Sequence, residues 1–133
     1  MKSALNVPGA PAAVGPYSHA QVVRLHGGNR MVFTSGQVGL VPATGELAGD
    51  DVVAQAEQVF RNLAVVLGGA GLGFADVVKT TVYLADMKDF KAMNEVYARH
   101  FASEPPARTT IAAAGLPKNA LIEIDCVAVG RDL

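Results

Sequence analysis

The sequence predicts an α+β fold, a mixed β-sheet with two helices packed on one face in the order β-β-α-β-α-β-β. Three observations carry that expectation. Runs rich in β-branched residues, bounded by Gly, Pro and Asn, alternate with two segments of helical period. Half of the 133 residues are hydrophobic and only 17% are charged, so the chain can bury a core and lacks the make-up of a disordered one. No repeat, linker or low-complexity stretch divides it, and residues 1–133 read as a single domain.

The elements follow in order. The first sixteen residues, rich in Ala, Pro and Gly, read as an irregular arm. Residues 22–26 and 31–35 are strand-like runs separated by Gly27-Gly28-Asn29, a hairpin signal, because Gly and Asn accept the positive φ of tight turns. Pro42 and Gly45 mark a loop. From Asp51 the period changes: Val52, Ala56, Val59, Phe60, Leu63, Val66 and Leu67 share one helical face, with Asp50 or Asp51 as cap and Gly68-Gly69 as stop. Residues 76–84 return to β-branched composition. Asp86, with Asp89 three residues on, resembles a capping box for a second helix whose stripe is Phe90, Met93, Tyr97 and Phe101. Strands over 107–113 and 121–129 close the chain. Two helices cannot cover both faces of a five- or six-stranded sheet, so a second copy of the chain is expected against the other face.

Several function classes are disfavoured at once. Eleven basic against twelve acidic residues leave a net charge of −1 with no basic block, so neither nucleic acid nor an anionic membrane is an expected partner. One cysteine, Cys126, cannot form an intrachain disulfide and reads as a small buried hydrophobe. The opening residues lack a signal-like apolar run and no stretch has membrane-spanning length, so a cytoplasmic location is expected. His19, His26 and His100 are scattered, which leaves no metal site, and Gly69-Ala70-Gly71-Leu72-Gly73-Phe74 follows a helix and is a stop and turn, not a dinucleotide fingerprint. Neither Ser18 nor Ser35 has a visible base, and no serine nucleophile is expected.

Three polar residues stand out. Asn94 lies inside the apolar stripe of the second helix, where an amide either braces a neighbouring strand or faces a pocket. Glu123 sits in a run apolar enough for a central strand, where a carboxylate needs a partner or its pKa rises; on an edge strand it would point to water beside Asp125. Arg108 enters a strand behind Pro105-Pro106, and its planar fork fits a carboxylate bidentately.

These segments together resemble the YjgF/RidA (reactive intermediate deaminase A) family over nearly the whole chain. Pro11-Ala12-Ala13-Val14-Gly15-Pro16-Tyr17-Ser18 is similar to its amino-terminal signature. Thr34-Ser35-Gly36-Gln37-Val38, Val78-Lys79-Thr80-Thr81-Val82-Tyr83-Leu84 and Asp89-Phe90-x-x-x-Asn94-Glu95-x-Tyr97 are similar to its middle. Pro106-Ala107-Arg108-Thr109-Thr110, Leu116-Pro117 and Ile122-Glu123-Ile124 are similar to its carboxy-terminal signature. The resemblance implies a chorismate-mutase-like fold, a homotrimer with pockets between subunits, and hydrolysis of 2-imino acids such as 2-iminobutyrate and 2-iminopropionate to 2-keto acids and ammonia. It implies Arg108 as carboxylate-binding and Glu123 as water-positioning catalytic residues. Tyr17, Ser35, Asn94 and Thr110 fall at its pocket positions, and some members carry Cys in place of Thr110. His19 stands where Gln is frequent.

The chemistry suits those residue types. An imine carbon is already electrophilic, so neither metal nor cofactor is required. Arg108 can hold the carboxylate while Glu123 aims water at C2 and moves protons, with Phe90 as an apolar wall beside a short side chain. Rival readings are a non-catalytic binder of small carboxylates, a chaperone-like trimer and the endoribonuclease activity assigned to some relatives.

Overall fold

The computed structural model describes residues 1–131. Six strands form the main path of a single sheet in the order β1-β2-β3-β7-β5-β6: β1 (Lys2–Leu5), β2 (Ala20–Arg24), β3 (Asn29–Thr34), β5 (Val77–Leu84), β6 (Ala107–Ala112) and β7 (Ile122–Arg131). Short β4 (Gln37–Val38) pairs with β7 off that path. All pairings are antiparallel except β5–β6, which is parallel and is bridged by the helix α2 (Phe90–His100), the crossover that a parallel pair requires. With α1 (Val52–Gly69), α2 covers one face of the sheet. The fold is thus the expected mixed α+β arrangement.

Each helix begins and ends for a local reason. Asp51 caps α1, its carboxylate accepting the Ala54 N–H at 2.8 Å. The apolar face read from spacing is the buried one, with Ala56, Val59, Phe60, Leu63, Val66 and Leu67 at 0–1% exposure. Beyond the helix end, Gly71 takes φ +74°, and Leu72 returns its N–H to the Leu67 carbonyl at 2.9 Å. Before α2 the expected capping box does not form. Asp86 instead caps a short 3-10 turn, Met87–Asp89, by accepting the Lys88 N–H at 2.9 Å, and the α-helix starts only at Phe90.

Two further expectations are corrected, and one strand is added. The amino-terminal arm is not irregular throughout, because Lys2–Leu5 pairs with β2 and forms an outer strand. The hairpin strands lie two residues earlier than their apolar pattern suggested, at 20–24 and 29–34. The turn is centred on Gly27 and Gly28, both at positive φ, and Arg24 pairs with Arg30. Strand β4 went unseen because two residues carry no period. It is held from outside: Asn62 on α1 donates to the Val38 and Leu40 carbonyls at 3.1 and 2.9 Å, while Gln58 donates to the Asn62 side-chain oxygen at 2.9 Å. Gln55 joins the same tie, accepting the Leu121 N–H at 2.8 Å and donating to the Gly49 carbonyl at 2.9 Å.

The two faces of β7 summarise the architecture. Ile122, Ile124, Cys126 and Ala128 are buried beneath the helices, whereas Glu123, Asp125, Val127 and Val129 line the other, helix-free face. That open face carries an apolar half, with Met31, Phe33 and Val129, and a polar half, with Lys79, Thr81 and Tyr83. Cys126 is the expected buried hydrophobe; burial pushes its thiol up to about 11. No helix among the described residues is long and apolar enough to cross a membrane.

Candidate active site

The residues singled out for chemistry gather in two places. The first is the edge of the sheet. Arg108 pairs with Thr80 across β5–β6, so its side chain lies on the helix-covered face. There its guanidinium carbon stands 4.6 Å from the centre of the Tyr97 ring and 5.6 Å from that of Phe90, with Nη1 3.9 Å from the Met93 sulfur. Aromatic faces attract a cation and make a rigid seat for a planar one. Tyr97 is itself fixed, its hydroxyl 2.7 Å from Thr80 Oγ1. Burial raises the phenol pKa, which keeps it neutral. No carboxylate among the described residues pairs with Arg108, and apart from the long Nη1–sulfur contact its donors meet no described acceptor.

Asn94 and Thr110 complete this corner. Asn94, one turn beyond Phe90, is half-buried and its amide bonds to no described residue. The strand-bracing role open to it from sequence is therefore not the one it has. Thr110 follows Arg108 on the same side of β6, and its Oγ1 is buried without a hydrogen-bond partner. Because β6 is an edge strand, one row of its backbone N–H and C=O groups is left unpaired.

The second place is a cavity of about 310 Å³ whose walls include Tyr17, His19, Ser35, Gly36, Lys118 and Glu123. Glu123 does lie on a central strand, flanked by β4 and β5. Among the described residues it has neither cation nor hydrogen-bond donor, and desolvation, followed by the nearby Asp125 charge, raises its pKa above the usual carboxylate value. Asp125 is raised as well, chiefly by burial, although hydrogen bonds from Tyr83 and Thr81 work the other way. Space for the Glu123 carboxylate comes from Gly36: a Cβ there would fall 2.1 Å from Glu123 Oε2 and 2.8 Å from Cδ. Ser35 donates from its hydroxyl to the Ser18 carbonyl at 2.5 Å, and the Tyr17 hydroxyl accepts the Val14 N–H at 3.1 Å. The first bond ties the arm to the strand end at the cavity, and the second folds the arm locally around the Tyr17 ring.

Tyr17, Ser35 and Glu123 thus meet at the cavity, and Phe90, Asn94, Arg108 and Thr110 meet at the β6 corner. The two groups do not meet within one chain. Glu123 shares its row with Tyr83 and Ile111 on the open face, while Arg108 shares its row with Thr80 and Cys126 on the covered face. The sheet stands between them, and their strands, β7 and β6, lie two strand spacings or about 10 Å apart within it.

Sequence reasoning missed the seat under Arg108 and the room beside Glu123. The first had a signal, since Phe90, Met93 and Tyr97 repeat at three- and four-residue spacing and so share the face that meets β6. The second had none, because Gly36 and Glu123 are joined only by the β4–β7 pairing. Among the described residues, no group of three or more His, Cys, Asp or Glu is placed to hold a metal ion.

Known proteins share this whole framework. Residues 8–130 match the family model described as Endoribonuclease L-PSP. Protein DfrA of Myxococcus xanthus is 48% identical over 128 residues, 96% of this chain and 95% of that protein. The human 2-iminobutanoate/2-iminopropanoate deaminase is 44% identical over 120 residues, 90% of this chain and 84% of that one. Among solved structures, that of the E. coli YjgF gene product superposes with a TM-score of 0.86 at 40% identity, covering 97% of this chain and 99% of that one. With the motifs, the chorismate-mutase-like α+β fold and these full-length matches in agreement, the chain belongs to the YjgF/RidA family.

Proposed function

We propose that the protein hydrolyses short 2-imino acids, 2-iminobutyrate and 2-iminopropionate, to the 2-keto acid and ammonia, at sites formed between the subunits of a homotrimer. The observation that carries this reading is Arg108. It is a half-buried guanidinium seated on two aromatic rings with no carboxylate partner among the described residues, and so is prepared for the carboxylate of a ligand. The names of relatives such as the human and mouse 2-iminobutanoate/2-iminopropanoate deaminases support the choice of ligand.

The steps follow from the side chains. Arg108 takes the substrate carboxylate in a bidentate pair, and Phe90 limits its side chain to a short apolar one. Glu123, as carboxylate, accepts a proton from water as the oxygen bonds to C2 of the protonated imine. The resulting 2-amino-2-hydroxy acid collapses when Glu123 returns that proton to the nitrogen and takes up the hydroxyl proton, which it then passes to the departing ammonia. The C–N bond breaks, ammonia leaves and the C2 carbonyl forms. A carboxyl whose pKa is raised toward the working pH is suited to take and return a proton in turn.

Association of subunits is what this mechanism needs and what the surface favours. The open face leaves Phe33 and Ile111 42% and 44% exposed, and strand β6 has a free edge. Packing one subunit's open face and cavity against another's β6 corner would set a Glu123 opposite an Arg108. The net charge of −1 favours this reading over ribonuclease action, which needs a basic surface. The test couples an amino-acid oxidase to keto-acid detection. Purified protein is expected to speed keto-acid appearance from 2-aminobutyrate, and sedimentation equilibrium to give three times the chain mass. No acceleration, or a stable monomer at micromolar concentration, overturns the reading.

A further inference from the structure

The wall of the Glu123 cavity is held by a residue that the proposed mechanism leaves unused. His19, 6% exposed, stands immediately before β2 and bonds the amino-terminal arm from both ring nitrogens. Nδ1 is 2.9 Å from the Val7 backbone nitrogen, and Nε2 is 2.8 Å from the Pro11 carbonyl oxygen. Its own N–H donates to Asn6 Oδ1 at 3.2 Å, and its carbonyl accepts the Ser35 N–H at 2.9 Å. One residue therefore ties the arm on which Tyr17 is carried to the strand end on which Ser35 sits.

Backbone chemistry decides the state of the ring. Val7 N–H can only donate, so Nδ1 must be a bare acceptor. The Pro11 carbonyl can only accept, so Nε2 must carry the hydrogen. The neutral Nε2–H tautomer meets both needs, the Nδ1–H tautomer meets neither, and the imidazolium turns a second donor against the Val7 N–H. We infer that His19 is a positioning residue, a neutral-imidazole clasp that holds the arm against the cavity and lets it go when the ring is protonated. The ionisable groups sharing the cavity are Tyr17 on the arm, Lys118 in the turn before β7 and Glu123 on β7, and none of them bonds the imidazole. A glutamine offers the same acceptor and donor pair without a charge change, whereas a histidine changes charge between about pH 5 and 8. The consequence is a site whose wall loosens once the ring is protonated.

The consequence for ligand affinity rests on the imino-acid reading; the clasp itself does not. The test uses the native chain, H19Q and H19L at about pH 8 and about pH 5.5, either side of histidine's ordinary range. Nitrogen-15 NMR of the imidazole is expected to show the Nε2–H tautomer at the higher pH. Protection of the Val7 amide, corrected for intrinsic exchange, should fall about tenfold or more in the native chain on acidification, the scale of one lost buried hydrogen bond. H19Q should keep that protection at both pH values and H19L should lack it at both. Calorimetric affinity for 2-oxobutyrate, a stable product analogue, should drop on acidification in the native chain relative to H19Q. Glu123 is common to both chains, so its protonation cancels in that ratio. Val7 protection that ignores pH in the native chain, or that is already lost in H19Q at the higher pH, overturns the clasp. Should 2-oxobutyrate bind neither chain while Val7 behaves as described, the imino-acid reading fails and the clasp stands.

Discussion

Arg108 and Glu123 are both half-buried charges, and the molecule accommodates them by opposite means. Arg108 lies on an edge strand with the Tyr97 and Phe90 rings beneath it, so its charge is met by polarisable faces and its fork remains open. Glu123 lies on the central strand with no cation or donor among the described residues, in room left by a missing Cβ at Gly36, and its pKa rises. On the proposed function, Arg108 presents its fork to a ligand's carboxylate from a rigid aromatic seat. On the same proposal, Glu123 exchanges protons from a place where its charged form is costly.

The sharpest way to break this comparison is Glu123→Gln. The amide keeps the shape but cannot take a proton, so turnover on 2-iminobutyrate should fall about 10²–10⁴-fold, while calorimetry still finds a 2-keto acid ligand. Retained turnover would make Glu123 a structural carboxylate. Next in size is Arg108→Lys, which keeps the charge and loses the planar fork and its ring seat. A drop in kcat/KM of about 10²–10³-fold, mostly through KM, is expected from losing a desolvated bidentate pair. An unchanged kcat/KM would mean that the carboxylate is held elsewhere.

Gly36→Ala sharpens the contrast from the other side. Its Cβ would meet the far end of Glu123, which can swing away, so folding should be little disturbed. The displaced carboxylate should nevertheless cost up to about 10²-fold in kcat, with carboxylate binding at Arg108 unaffected. Equal losses in kcat and in thermal stability would show that the glycine serves the fold and not the acid.

The smallest effects concern pH. With its folded-state pKa raised above the ordinary 4.5, Glu123 binds its proton more tightly in the folded chain than in the unfolded one. Its contribution to stability is therefore fully present below that ordinary value and is lost as pH rises through the raised one. Catalysis needs the opposite form, so kcat should fall as pH drops through the same raised value. Glu123→Gln should accordingly raise the melting temperature near neutral pH and flatten its dependence on pH. A variant less stable than the native chain at neutral pH would show that the carboxylate has a stabilising partner in the assembled protein.

Much of this was legible along the chain because local order carries it. The face of α1 follows from the spacing of Val52 to Leu67, and the alternation of Ile122, Glu123, Ile124 and Asp125 already separates one side of β7 from the other. Asp51 as cap and Cys126 as buried hydrophobe follow from chemistry within a few residues. The motifs around Tyr17, Ser35, Asn94, Arg108 and Glu123 were enough to select the residues of the candidate site.

Where those residues stand relative to one another was decided only by the tertiary structure. Alternation tells which residues of one strand share a face, but not which face of the next strand they match. That depends on pairing partner and register, and here Thr80 pairs with both Arg108 and Cys126 while Tyr83 pairs with Glu123. Arg108 and Glu123 consequently fall on opposite sides of the sheet, an outcome no spacing in the sequence contains. Strand β4, the Gly36 gap and the His19 clasp on Val7 and Pro11 share the same origin: each joins segments through space, with hydrogen bonds or contacts that close only once the sheet has formed.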